Sequence, residues 1–429
     1  MPEGKIRINN NNLDASSVLD DLMASAAPAI GLPLQTLPFF ALSYAIGNLL
    51  SSFAEPYSIT DTITLPPHDC EKAESVYKNL KDMAAYFDVR VAGGHTGCYE
   101  GVELPVITVT AHGKRVRKSG MPLAGDSVLL IGEPFLESNW LRWLVGESEI
   151  DIDWKQLTPV HILRDVLKID EVKVAHDVSE GGIGGAIVEL QERYGMNITL
   201  DDKKFATKLD EPSYGTVLAV TGNVDSVCEK LMGLGHKCHK LASFGGASPL
   251  AVHATSELWD FYGKPSSTFD RSLNGFSLFL KRLSKIDLNK VVPEVGMNIA
   301  YFTHEGIIGI DGRIVRTIDG VRIGNARYGA SRHVGYILSE LRKNGAKYTA
   351  AANIRLSDNA LKMLIKMGMS VQEVNTDDPY CPPLKMIRET GVIADVYIEK
   401  PSIGMEGGMV VLTDDLNKML MIIKNLSTL

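Results

Sequence analysis

From Phe39 onward the apolar residues fall at Phe39, Leu42, Ile46, Leu49, Leu50 and Phe53, the three-to-four spacing of one helix face. No charged residue lies between Asp21 and Glu55, a window long enough for a bilayer, which needs about 20 apolar residues. Pro28, Gly31, Pro33, Pro38, Gly47 and Asn48 interrupt it, so a deeply buried helix, beside a subunit interface, is expected there rather than a membrane span. A second helix is expected over 71–87, with Val76, Leu80, Met83 and Phe87 on one face. A short strand at 89–91, a glycine-rich loop AGGHTG and a strand at 104–111 follow. The segment LAGDSVLLIGEP at 123–134 reads as a turn and a fully buried strand, and a domain boundary is placed there.

Beyond it strands and helices alternate: VKVA at 172–175, a helix from Ile183, VLAV at 217–220 and a helix from Val224. The stretch 253–274 has no clean period and reads as a surface excursion. The remainder predicts strands at 307–315, 348–352, 371–374 and 394–398 and helices at 331–342, 357–367 and 414–424. The class is therefore α/β, in α+β layers, and three domains are expected at 1–124, 125–284 and 285–429.

Composition narrows the setting. Lys+Arg is 44 against Asp+Glu 52, a net charge of −8, with no basic stripe, which argues against a nucleic-acid partner. Cys70, Cys98, Cys228, Cys238 and Cys381 are scattered without a C-x-x-C pair. Free thiols in a reducing cytoplasm are expected, without disulfides. The polar start MPEGKIRINNNN lacks the apolar core of a signal peptide.

Two loops carry candidate chemistry in the first two segments. In VAGGHTG, Gly93, Gly94, His95 and Thr96 follow a strand, and the glycines let a ligand or a neighbouring strand approach the backbone. In AHDVSEGGIGGAI, Asp177 and Glu180 flank a helix start that includes Gly181 and Gly182. Free amides there attract anions and carboxylates hold a hard cation, so Asp177 is the candidate metal ligand. The alternative is a capped helix whose glycines permit tight packing.

GGHTG, then AGDSVLLIG, then HDVSEGG resembles the AIR-synthase-like (PurM-like) superfamily over roughly 35–250. That resemblance implies PurM-like N-terminal and C-terminal domains, a homodimer formed through the N-terminal sheets, and a site for ATP with Mg²⁺. The chain departs from it early: 28–54 holds no acid, and Leu49 follows Asn48 where the family has Asn-Asp. Apolar residues do not ligate a hard cation, so this half is expected to serve as a dimerisation platform or a degenerate nucleotide site.

The third segment holds VVPEVGMNIAY at 291–301, GIDGRIVR at 309–316, NARYGASRHVGYIL at 325–338 and AANIRLSDNAL at 351–361. Gly329 and Ser331 open a helix, with Arg327, Arg332 and His333 around its start, and Arg313 and Arg355 at strand ends. Forked guanidinium donors beside free helix amides make a phosphate or diphosphate site. These strings resemble the ThiN family, an archaeal-type thiamine-phosphate synthase domain, over about 285–429. The resemblance implies joining of hydroxymethylpyrimidine diphosphate to hydroxyethylthiazole phosphate. It assigns Arg313 and His333 to catalysis and Asn298, Asn353, Arg355 and Glu406 to binding of phosphorylated substrates. Met405 stands where the family carries a lysine. The alternatives are a non-catalytic sensor of thiamine phosphate and an ATP-dependent enzyme of the AIR-synthase or thiamine-monophosphate-kinase kind.

Overall fold

The computed structural model describes residues 16–18, 21–28, 32–148, 150, 152–251, 256, 258, 270–318, 320–374, 381–401 and 407–429. They form two compact units: 1–143 with 148–269, and 144–147 with 270–429. The fold is mixed α/β, with three sheets.

The first unit begins with β1 (Ser16–Val18), β2 (Asp21–Ala26), α1 (Leu37–Ser51), β3 (Ala54–Leu65), α2 (Ala73–Tyr86), β4 (Arg90–Cys98) and β5 (Val106–Arg115). The strands lie in the order β1-β2-β5-β3-β4, with β3 and β4 parallel. The charge-free stretch becomes α1, whose Phe39, Phe40, Leu42, Ile46, Leu49 and Leu50 are all buried. A helix apolar on every side must be buried on every side, and each such side chain contributes about 1.5–3 kcal/mol. Among the described residues no helix is long and apolar enough to cross a membrane.

Next come β6 (Ser127–Ile131), α3 (Leu136–Leu144), α4 (Val160–Leu167), β7 (Val172–Asp177), α5 (Gly182–Tyr194), β8 (Ile198–Leu200), β9 (Val217–Thr221), α6 (Val224–Gly233) and β10 (Cys238–Phe244). Their sheet runs β7-β9-β6-β10-β8. The fully buried runs β6 and β9 are two of its three interior strands. Buried hydroxyls tie α1 to this layer: Ser43 Oγ lies 2.7 Å from Thr158 Oγ1 and 2.6 Å from Tyr214 OH.

Two expectations are corrected here. AGGHTG is not a loop but the body of edge strand β4, hydrogen-bonded along β3. The cysteines are not all thiols: Cys70 is disulfide-bonded to Cys98 and Cys228 to Cys238. Each pair joins a helical cysteine to one on a strand, 28 and 10 residues further along the chain, with Cα atoms 5.8 Å and 5.3 Å apart. Cysteine usage thus no longer argues for a reducing compartment.

The second unit holds α7 (Arg271–Leu283), β11 (Ile299–Phe302), β12 (Ile307–Thr317), β13 (Gly320–Tyr328), α8 (Arg332–Lys343), β14 (Ala350–Arg355), α9 (Asp358–Lys366), β15 (Val371–Glu373), α10 (Pro382–Thr390), β16 (Val396–Glu399), β17 (Gly408–Thr413) and α11 (Leu416–Ser427). The sheet order is β13-β12-β11-β14-β17-β16-β15, antiparallel except for β15 with β16. One face packs Phe276, Phe279 and Leu283 of α7 with residues of α9 and α11. Thus α7, which lies before residue 285, belongs to this core. The other face carries Val334, Ile337, Leu338 and Leu341 of α8 together with Met386 and Ile387 of α10.

Candidate functional site

In the first unit the singled-out residues are mostly engaged in the fold. His95 Nε2 lies 2.8 Å from Tyr99 OH, and the Tyr99 ring fills the space a side chain at Gly97 would need. Gly94 has no room for a Cβ, because Asp61 Oδ2 would lie 2.2 Å from it. Thr96 and Gly93 are strand residues on β4. Asp177 closes β7, is buried, and accepts from Ser51 Oγ at 3.2 Å. Glu180 stands in the following loop. Gly181 and Gly182 have φ of +83° and +64°, a left-handed turn that glycine makes without strain. A Cβ at Gly182 would lie 2.4 Å from the Glu211 carbonyl oxygen, and the Gly184 amide donates to Leu209 O at 2.7 Å. These glycines therefore serve close packing.

Sequence reasoning missed Asp61, an acid in the ITDTITL strand β3. Its side chain is buried, and both carboxylate oxygens lack a hydrogen-bond partner among the described residues. Burial pushes this carboxyl above its ordinary range. Tyr44 on α1 is raised well above the usual phenol value by burial, then by the charges of Glu137, Glu180 and Asp177. Burial lowers the His176 imidazole, yet its hydrogen bond to Glu189 and the charge of Asp177 hold it above its usual value.

In the second unit the expected residues gather. A bulge interrupts β12 between Asp311 and Ile314, and Gly312 and Arg313 there have φ of +82° and +64°. A left-handed arginine stores strain of about 1–3 kcal/mol. Its guanidinium is anchored, Nη1 donating to Val295 O at 2.6 Å. Gly296 (φ +84°) lets that side chain pass, since a Cβ there would lie 3.4 Å from Arg313 Cδ.

Ser331 precedes α8 with φ +51° and ψ +43° and makes no side-chain cap. Its hydroxyl instead accepts from Ile310 N at 2.9 Å and lies 3.3 Å from Asn298 Oδ1. The close approach needs Gly309, because a Cβ there would meet Ser331 Cβ at 2.6 Å. The first amides of α8 are thus left without a side-chain cap, as an anion site requires. Asn353 Oδ1 accepts from Asn298 N at 2.6 Å, and its Nδ2 donates to Gly296 O at 3.0 Å. Asn298, Asn353 and Ser331 therefore frame one cradle. His333 lies in the first turn of α8, lowered by burial and then by the Arg313 charge. The Arg313 charge thus acts on His333 and favours its neutral form.

Other expected residues lie around this cradle. Arg327 is tied to Asp311 at 3.0 Å, both exposed. Arg332 is exposed in the first turn of α8, and Gly329 (φ +70°) turns the chain into it. Arg355 ends β14, exposed. Glu406 and Met405 lie outside the described residues. Among the described residues no group of three or more His, Cys, Asp or Glu side chains gathers to hold a metal.

Strained backbone at Arg313, a helix start without a side-chain cap and the Arg313 charge acting on His333 make this the candidate site of an α/β domain. Residues 277–425 match the family of thiamine-phosphate synthase ThiN, and residues 20–115 match the AIR synthase related protein N-terminal domain. The chain thus joins an AIR synthase related domain to a ThiN domain.

Among curated proteins the chain is similar to the phosphoribosylformylglycinamidine synthase subunit PurL of Renibacterium salmoninarum. The two are 30% identical over 184 residues, 38% of this chain and 24% of that protein. The corresponding subunit of Methanothermobacter marburgensis is 25% identical over 252 residues, 51% and 35% respectively. The chain therefore spans only 24% to 35% of the length of these relatives. Among solved structures, the thiamine monophosphate kinase of Aquifex aeolicus aligns with a TM-score of 0.44 at 16% identity, covering 56% of this chain and 90% of that one.

Proposed function

We propose that the second unit is a thiamine-phosphate synthase-type transferase joining hydroxymethylpyrimidine diphosphate to hydroxyethylthiazole phosphate. The observation that carries it is the Arg313 charge acting on His333 in the first turn of α8, a helix without a side-chain cap, inside the segment matched to ThiN. In this reaction the bond from the pyrimidine methylene carbon to the diphosphate oxygen breaks, and its electron pair leaves with diphosphate. The thiazole ring nitrogen then supplies the pair for the new carbon–nitrogen bond. Arg313 and the α8 amides oppose the charge growing on the leaving group. His333, kept neutral, offers a hydrogen bond without adding a second cation beside Arg313. Mg²⁺ belongs to this reading as a companion of the diphosphate oxygens. The first unit is assigned to homodimerisation.

The test supplies both substrates and Mg²⁺ and reads thiamine phosphate as thiochrome fluorescence. Turnover lost in both Arg313→Ala and His333→Ala supports the transferase. Absence of turnover, with a thermal shift on adding thiamine phosphate, replaces it with a non-catalytic sensor.

A second reading, ATP-dependent chemistry in the first unit, is favoured by one observation: Ser51 of α1 reaches Asp177 of the glycine-rich loop. Stabilisation by Mg²⁺-ATP, which a ligand selective for the folded state must produce, tests it.

A further inference from the structure

Three strands place a basic, an empty and an acidic position in one row. Arg355 of β14 is paired with Gly408 of β17, and Gly408 is paired in turn with Glu399 of β16. Residues in register on neighbouring strands share a face, and here the face is fixed by the next pairs inward. Asn353, Val410 and Tyr397 form one such row, and Val410 and Tyr397 lie in the core beneath α8 and α10. The row of Arg355, Gly408 and Glu399 continues that face beyond the core.

The middle of this row is open floor. A Cβ built on Gly408 meets nothing within 4 Å. The flanking backbones are about 10 Å apart, two strand spacings. Long side chains could close that gap, yet no ion pair joins Arg355 to Glu399 among the described residues. Glu399 has no hydrogen-bond partner among them either. The adjacent cation, Lys400, is taken by Glu373 at 2.6 Å. Glu399 is half-buried, and burial alone holds its carboxyl above the ordinary range.

We propose that Arg355, Gly408 and Glu399 form a subsite for a planar amino-heterocycle, lying flat over Gly408 with its ring nitrogen and exocyclic amine against the Glu399 carboxyl. A carboxyl meets such an edge with two hydrogen bonds, one donated to the ring nitrogen and one accepted from the amine. Arg355 at the opposite end of the floor faces a phosphate or diphosphate group on the same ligand. Asn353, on the same strand face two residues before Arg355, already frames the anion cradle, so one ligand reaches both. The assignment rests on the transferase reading of this domain and adds to it the residue that recognises the base.

The test uses full-length protein and calorimetric titration with separate probes. Inorganic diphosphate reports the cradle. The unphosphorylated 4-amino-5-hydroxymethyl-2-methylpyrimidine reports the base subsite, and its 4-oxo analogue lacks the amine. Wild type should bind the amino compound at least tenfold more tightly than the oxo compound. Glu399→Gln should erase that preference and Gly408→Val should abolish heterocycle binding, while both bind diphosphate as wild type does, which also reports that they are folded. An unchanged preference in Glu399→Gln, or no heterocycle binding by wild type, overturns the subsite. Diphosphate binding that is absent, or indifferent to Arg313→Ala, instead overturns the transferase reading beneath it.

Discussion

Both units present a glycine-rich turn ahead of a helix, and they use it in opposite ways. At the start of α5, Gly182 is pressed against the backbone of residues 209–211, and the Gly184 amide is already donated. At the start of α8, the close approach is made by Gly309 on the neighbouring strand. Ser331 turns its hydroxyl sideways to Ile310 and leaves the helix amides uncapped. The same local pattern is packing in one place and leaves a helix start without a side-chain cap in the other. What separates them is where the hydrogen bonds go, since a donor already paired in the fold offers little to a ligand.

Substitutions at the two places should therefore diverge most in turnover. Arg313→Ala should lower thiamine phosphate formation by about 10²–10³, the usual cost of removing one preorganised donor. His95→Ala in the first unit should leave it within about twofold in the same fluorescence assay. Equal losses would erase the distinction between the units.

The next largest contrast is in stability. Cys98→Ser opens the cross-link to Cys70, which closes a loop of 28 residues. It should cost about 3 kcal/mol in denaturant unfolding, followed by a probe in the first unit. The second unit, whose described residues take part in neither cross-link, should be indifferent to reductant.

A smaller effect sharpens the account of β4. Gly94→Ala drives a methyl group into the Asp61 carboxyl and should destabilise by about 1–3 kcal/mol. In an Asp61→Ala background the penalty should largely vanish, a coupling that a double-mutant cycle measures. Additive losses would mean that Gly94 is glycine for another reason.

The smallest effects are in pH dependence, and their signs are opposite. Asp61 is raised in the folded state, so the folded form binds more protons, and its contribution is present at low pH and lost as pH rises past the unfolded carboxylate range. His333 is lowered, so its contribution is present above the ordinary imidazole value of about 6.5 and lost as pH falls through its folded value. Thermal scans between these ranges should show Asp61→Asn flattening the acid-side gain and His333→Gln flattening the loss. The reverse pattern in either variant would contradict the direction of its shift.

Much of the fold was legible in the chain because periodicity reports burial directly. The spacing of Phe39, Leu42 and Ile46 marked α1, and the run SVLLI marked the interior strand β6. The cradle was legible as a set of residues, since Arg313, Ser331 and His333 sit in recognisable strings. Two features were not. AGGHTG carries no side-chain alternation, so nothing local distinguished a loop from the edge strand that β3 makes of it. Glu399 ends an apolar strand like any solvent-facing acid, and only the register through Gly408 sets it opposite Arg355.

Near neighbours along the chain settled most helices and strands, AGGHTG excepted, and which residues supply charge. Tertiary structure alone decided which cysteines meet, that Asp61 lies unpaired above Gly94, and that Asn353 spends both ends of its amide holding Gly296 and Asn298 beneath Arg313. Those outcomes depend on strand order and register, and a polar group's role follows from the partner that register brings within about 3 Å of it.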